Sequence, residues 1–239
     1  MTTRRILFSA GVGVYMSGAA FAADNVLTDQ EAKDGWKLLW DGRSSDGWRS
    51  AASDRFPAAG WEMKDGVLTV LGKKGGDIVT RESYSNFELS FEFRLTPVGN
   101  SGVKYFVQPA PGGKGMVGLE FQILDDARHP DAKLGTNGDR TVSSLYDLMP
   151  AAASKKPSPI GEWNQGRIVS RGTHVEHWLN GGKVLEYERG SPAFRERIAA
   201  SKYKTIPGFG EAKEGPILLQ DHNDTVSFRN LKIRTFAAP

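Results

Sequence analysis

Residues 87–95 read F-E-L-S-F-E-F-R-L, with five apolar side chains alternating without a fault against Glu88, Ser90, Glu92 and Arg94. A period of two sends one set to each face of an extended strand, a segregation no helix can produce. Residues 118–126, G-L-E-F-Q-I-L-D-D, repeat the pattern: Leu119, Phe121 and Ile123 form an apolar row while Glu120 and Gln122 face the other way. Between them lies V-K-Y-F-V-Q at 103–108. Strict alternation there predicts Val103, Tyr105 and Val107 on one face and Lys104, Phe106 and Gln108 on the opposite one. Strands of this kind bury one face and present the other to water or to a ligand.

The rest of the chain is consistent with a sheet protein. Asp65-Gly66 is a hairpin turn between two short apolar runs, and a strand is expected near 77–80. The Gly-rich stretch 109–118 lacks the spacing of a phosphate-binding loop and reads as a hairpin connection. Further strands are expected at 163–170, 173–179, 183–187, 216–220 and 225–234, with a turn at Asn180-Gly181-Gly182. One helix is expected, at 192–200: Ser191 suits the N-cap, Pro192 suits the first turn, and Phe194 and Ile198 share a face. From 125 to 156 periodicity fades, yet Leu145, Tyr146 and Leu148 give the stretch hydrophobes with which to lie ordered over a sheet. Trp40 and Trp48 read as cover for a core edge, with a sugar-stacking platform as the alternative. A chain of 239 residues broken this way predicts one all-β domain, an antiparallel sandwich of two sheets with one short helix.

At the N-terminus, Arg4 and Arg5 precede an apolar run and Ala20-Phe21-Ala22, the pattern of a secretory leader. Residues 1–22 are therefore expected to be a signal peptide and 23–239 the mature domain, exported to the periplasm or beyond by the general or the twin-arginine route. With no Cys there is no disulfide and no lipidated cysteine, so no membrane attachment is expected after cleavage. A formal charge of +3, with acids interspersed among the bases, gives no reason to expect nucleic acid.

Groups able to move protons gather in three places: Asp125, Asp126, His129 and Asp131; S-L-Y-D-L at 144–148; and L-Q-D-H at 219–222. With them, W-K-L-L-W-D-G-R-S-S-D-G-W, N-S-G-V-K-Y-F-V, G-L-E-F-Q-I-L-D, L-Y-D-L, G-E-W-N, W-L-N-G and G-P-I-L-L-Q-D-H-N-D-T-V-S-F-R-N-L-K-I-R follow in order over nearly the whole mature chain. In this the sequence resembles the 3-keto-disaccharide hydrolase domain family. The resemblance implies a concanavalin-like jelly-roll sandwich with a sugar site on one sheet, export, and cleavage of glycosides whose C3 hydroxyl has been oxidised to a ketone.

Such a ketone acidifies the hydrogen on C2, so a base can remove it and the C1 substituent can leave by β-elimination, with water adding back. The residues to which this chemistry is assigned are His222 or Glu120 as base, Lys104 for the enolate oxygen and Tyr146 as donor to the leaving group. Gln122, Asn100, Gln220, Arg229 and Trp48 are candidates for holding the sugar. Glu120, Asp125, His129 and His222 are a candidate ligand set for a divalent cation. No dinucleotide motif occurs, so a nucleotide cofactor is not expected and the prior oxidation falls to a partner sugar 3-dehydrogenase. Two alternatives remain: a non-catalytic sugar-binding module, and a conventional glycosidase, against which the absence of a second carboxylate at Gln122 counts.

Overall fold

The computed structural model describes residues 24–113 and 115–238; the expected leader at 1–22 lies outside them. In chain order the regular elements are α1 (Asp29–Lys33), β1 (Lys37–Leu38), β2 (Trp48–Ser50), β3 (Trp61–Lys64), β4 (Val67–Leu71), β5 (Ile78–Thr80), β6 (Phe87–Leu95), β7 (Asn100–Pro109), β8 (Met116–Leu124), β9 (Trp163–Arg171), β10 (His174–Leu179), β11 (Gly182–Glu188), α2 (Pro192–Ala200), β12 (Leu218–Leu219) and β13 (Thr225–Thr235). One sheet runs β11-β10-β9-β6-β13-β4-β3, with β1 also paired to β13; the other runs β2-β5-β12-β7-β8. Every named pairing is antiparallel, as the expected all-β sandwich requires.

The core forms where the inward rows meet. Phe91 of β6 packs edge-on against Phe121 of β8 at 5.3 Å between ring centroids, joining the two most regular alternating strands across the sandwich. Val103 and Tyr105 of β7, Leu119 and Ile123 of β8, and Phe228 of β13 complete the same buried cluster. α2 packs against β11. Its N-cap Ser191 accepts from the Phe194 amide at 3.2 Å, and the Phe194 ring lies parallel to that of Tyr187 at 5.6 Å.

Three expectations need correction. A second helix, α1, exists because Thr28 and Glu31 form a capping box, and β2 adds a short strand at Trp48. Strict alternation also fails in β7. One extra residue enters between Tyr105 and Gln108, with Phe106 at φ 52°, so Phe106 joins Val103 and Tyr105 in the main core while Val107 packs on the other face with Val79 and Leu218. The loop after β8 is ordered over the sheet as expected. Leu145 bridges to Phe121, and backbone bonds tie Ser143 N–H to Gln122 O at 2.7 Å, Gln122 N–H to Ser144 O at 3.1 Å and Tyr146 N–H to Glu120 O at 3.0 Å.

Candidate functional site

The outward face of the five-stranded sheet carries the polar cluster. Register places Val79, Leu218, Lys104 and Glu120 in one row across β5, β12, β7 and β8, and Gly102 beside Gln122 in the next. Lys104 Nζ stands 3.5 Å from Glu120 Oε2, with both side chains mostly withdrawn from water. Gln122, with its amide donating toward Glu120 Oε1 at 3.2 Å and the Ser101 carbonyl at 3.0 Å, fixes the carboxylate from the other side. Gly102 leaves the room for this: a Cβ there would stand 3.0 Å from Glu120 Cγ and collide with its carboxylate. The buried carboxylate is thus paired and satisfied, the condition under which burial of a charge is tolerated.

A second group closes one end of this face. Asn100, 3% exposed, has its carboxamide 3.5 Å from His129 Nε2 and 3.4 Å from His222 Nδ1, and the two imidazoles stand edge to face. Asp77, just before β5, accepts the Asp221 amide proton at 2.9 Å; burial pushes its carboxyl above the ordinary range, against the pull of Lys104 and His222. Nothing about Asp77 in the sequence distinguishes it from a strand-start aspartate. Only the folded sheet sets it beside Lys104.

The other end is formed by the ordered loop and the turn after α2. Tyr146 donates to Asp131 Oδ2 at 2.9 Å, and burial followed by this bond pushes its phenol well above the usual value. Arg140 holds the Asp131 side of that contact at 2.8 Å and is itself anchored by Asp147 at 2.7 Å. Lys202 lays its ammonium 4.1 Å from the Tyr146 ring centroid, and among the described residues it has no ion-pair partner. Sequence reading missed Arg140, Asp131's role and Lys202, because their relation is set by a loop without periodicity.

Of the residues expected at the site, Lys104, Glu120, Gln122, Asn100, His129, His222 and Gln220 are gathered on this face, with Tyr146 at its rim; Gln220 is tied in by its amide bond to Gly102 O at 3.0 Å. Three others are not brought there. Trp48 is 1% exposed, its indole N–H bonded to Leu39 O at 2.7 Å, so it is core and cannot stack on a sugar. Arg229 belongs to the eight-stranded sheet, bound to Glu92 at 2.7 Å and Asp24 at 2.8 Å over the Trp163 ring. Asp125 spends its oxygens on the Val98, Ala127 and Arg128 amides and the Arg128 guanidinium, an Asx turn that ends β8. The proposed cation set Glu120, Asp125, His129 and His222 is therefore not assembled. Among the described residues, the three-ligand cluster with donor atoms within 4.8 Å of one another is His174, Glu176 and Glu186, on the other sheet.

Comparison with known proteins agrees with this architecture. Residues 35–234 match the profile of the 3-keto-alpha-glucoside-1,2-lyase-like domain. A protein of Bacteroides thetaiotaomicron named 3-keto-disaccharide hydrolase is 35% identical over 230 residues, covering 84% of this chain and 78% of that protein. A crystal structure from Parabacteroides distasonis, provisionally assigned as a glycosyl hydrolase, is 32% identical with a TM-score of 0.81, covering 90% of this chain and all of that one. A second from the same organism, with the same provisional assignment, is 28% identical at a TM-score of 0.64, covering 84% and 99%.

Proposed function

The chain belongs to the 3-keto-alpha-glucoside-1,2-lyase-like domain family, and on that premise we propose that it is an exported enzyme that cleaves 3-keto-glycosides, 3-keto-disaccharides among them. The observation that carries the reading is the convergence of Lys104, Glu120, Gln122, Asn100, His222 and Asp77 on one sheet face. A neutral sugar needs no such density of ionisable groups merely to be bound, whereas proton removal beside a ketone needs a base, a cation and an acid within one ring's reach.

The roles follow from the surroundings of each group. Lys104 is a cation on the polar face of β7, suited to the oxygen of an enolate forming at C3. His222 is exposed with an imidazole nitrogen free to meet the C2 hydrogen. As His222 takes that proton, the C2–H electrons pass to the C3 carbonyl. Their return forms the C1–C2 double bond and expels the C1 oxygen, which takes up a proton. Asp77, whose raised carboxyl keeps a proton to higher pH than an ordinary aspartate, is placed to supply it. Tyr146, first assigned that task, has its own proton engaged by Asp131. Water then adds at C1 and a proton returns to C2, so the sum is hydrolysis. The leader pattern in residues 1–22 supports export.

The test is NMR in deuterated water with a 3-keto-glucoside and its unoxidised parent. Cleavage of the keto form alone, with deuterium at C2 of the product, is the expected result, and protein recovered from a periplasmic fraction should begin at Ala23. Equal cleavage of the parent, or sugar binding without turnover, would overturn the reading.

A further inference from the structure

Asn100 lies between the two imidazoles and the Glu120 support, and its carboxamide can be oriented from either end. At one end, the Gln122 amide donates to Glu120 Oε1 and Ser101 O, which leaves its carbonyl oxygen facing Asn100 at 3.4 Å. Two carbonyls do not face one another, so Asn100 presents its NH2 there and its oxygen to the histidines. At the other end, His129 Nδ1 accepts the Asp131 amide proton at 3.1 Å. The neutral His129 ring therefore carries its hydrogen on Nε2; the Asp224 carboxylate stands 4.0 Å from that nitrogen, beyond hydrogen-bond reach, so the nearer Asn100 atom at 3.5 Å is assigned as the oxygen. Two independent chains of hydrogen bonds give the same orientation.

That oxygen is also 3.4 Å from His222 Nδ1. From this we infer that Asn100 is a positioning residue, holding His222 as the tautomer protonated on Nδ1 and so leaving the Nε2 lone pair for the substrate's C2 hydrogen. The inference rests on the 3-keto-glycoside reading for its catalytic consequence, though not for its structural content. It also accounts for a buried amide on the polar row of β7: an apolar residue there would leave both imidazoles without a director, and the direction of a ring nitrogen is set by the bond its other nitrogen makes. The contacts are long for hydrogen bonds, and exclusion of water by substrate is expected to shorten them.

The experiment is two-bond 1H–15N correlation spectroscopy on protein labelled with 15N-histidine, at a pH where the rings are neutral, with His222 assigned by its loss in His222→Gln. Wild type should show Nδ1 protonated and Nε2 bare. Asn100→Asp, which keeps an acceptor oxygen, should retain that tautomer; Asn100→Leu should shift population toward Nε2–H. Turnover of a 3-keto-glucoside by Asn100→Leu should fall at least about tenfold in kcat with KM little changed, and Asn100→Asp should recover much of it. A wild-type His222 bare at Nδ1, as the other tautomer or a metal ligand would be, overturns the inference even in an active enzyme. The expected tautomer in a protein that turns over no 3-keto-glycoside overturns the functional reading instead.

Discussion

Lys104 and Glu120 depend on each other more than either depends on the fold. Removing the ammonium leaves a carboxylate that is 3% exposed without its paired cation, with the Gln122 amide still donating to it. Lys104→Met should therefore lower stability by about 3 kcal/mol in urea unfolding, while Lys104→Met with Glu120→Gln should regain most of it, since a neutral amide leaves no unpaired charge. Both proteins should be inactive on 3-keto sugars. The polar face of each strand was legible from its period of two, which is why Lys104, Glu120 and Gln122 could be named from the sequence. Their register could not, because cross-strand pairing is set by turns and bulges elsewhere. Asp125 misled for a related reason, and Trp48 proved to be core, the first of its two readings: a carboxylate at a strand end and an indole near a turn look the same whether they meet ligand or backbone.

At the scale of elements, β7 shows how much one residue alters. Alternation correctly assigned Val103 through Tyr105, then the extra residue at Phe106 exchanged the faces of everything after it. No composition signal marks that position, whereas the helix at 192–200 was legible to its ends because Ser191 and Pro192 are chemically suited to a helix start. Gly102 sits in ordinary strand conformation, so Gly102→Ala incurs no backbone strain, but its methyl displaces the Glu120 side chain. The expected result is a melting temperature within a few degrees of wild type together with a kcat reduced about tenfold or more, since small displacements of catalytic groups are costly. Unchanged kcat in Gly102→Ala would mean that Glu120 need not stay where it lies.

Across the whole molecule the two sheets share a buried polar link. Tyr105 of β7 meets His177 Nε2 of β10 at 2.7 Å and the Tyr187 hydroxyl of β11 at 2.6 Å, while His177 Nδ1 donates to Ser143 O at 2.9 Å in the site loop. Burial lowers the His177 pKa from 6.5 to about 4. Between those values the unfolded chain binds a proton that the native state refuses. Stability is thus fully present above 6.5 and falls as pH drops toward about 4, by about 3 kcal/mol from this group. Urea unfolding across that window should show His177→Gln to be less stable at neutral pH, yet less acid-sensitive than wild type by roughly that amount. An equal acid slope in both proteins would place the sensitivity elsewhere. His177 was invisible as a link in the sequence, where it reads as one more residue of an alternating strand.

The backbone bonds by which Ser143, Ser144 and Tyr146 lie along β8 have a consequence for the crowded protein. A sheet's last strand normally offers a free row of amides and carbonyls on which another chain can begin to stack. Here that row, along Glu120 to Gln122, is already occupied by the protein's own loop. Strand addition therefore finds no free row along Glu120 to Gln122, and the polar face carrying Lys104 and Glu120 stays open while this part of its edge is covered.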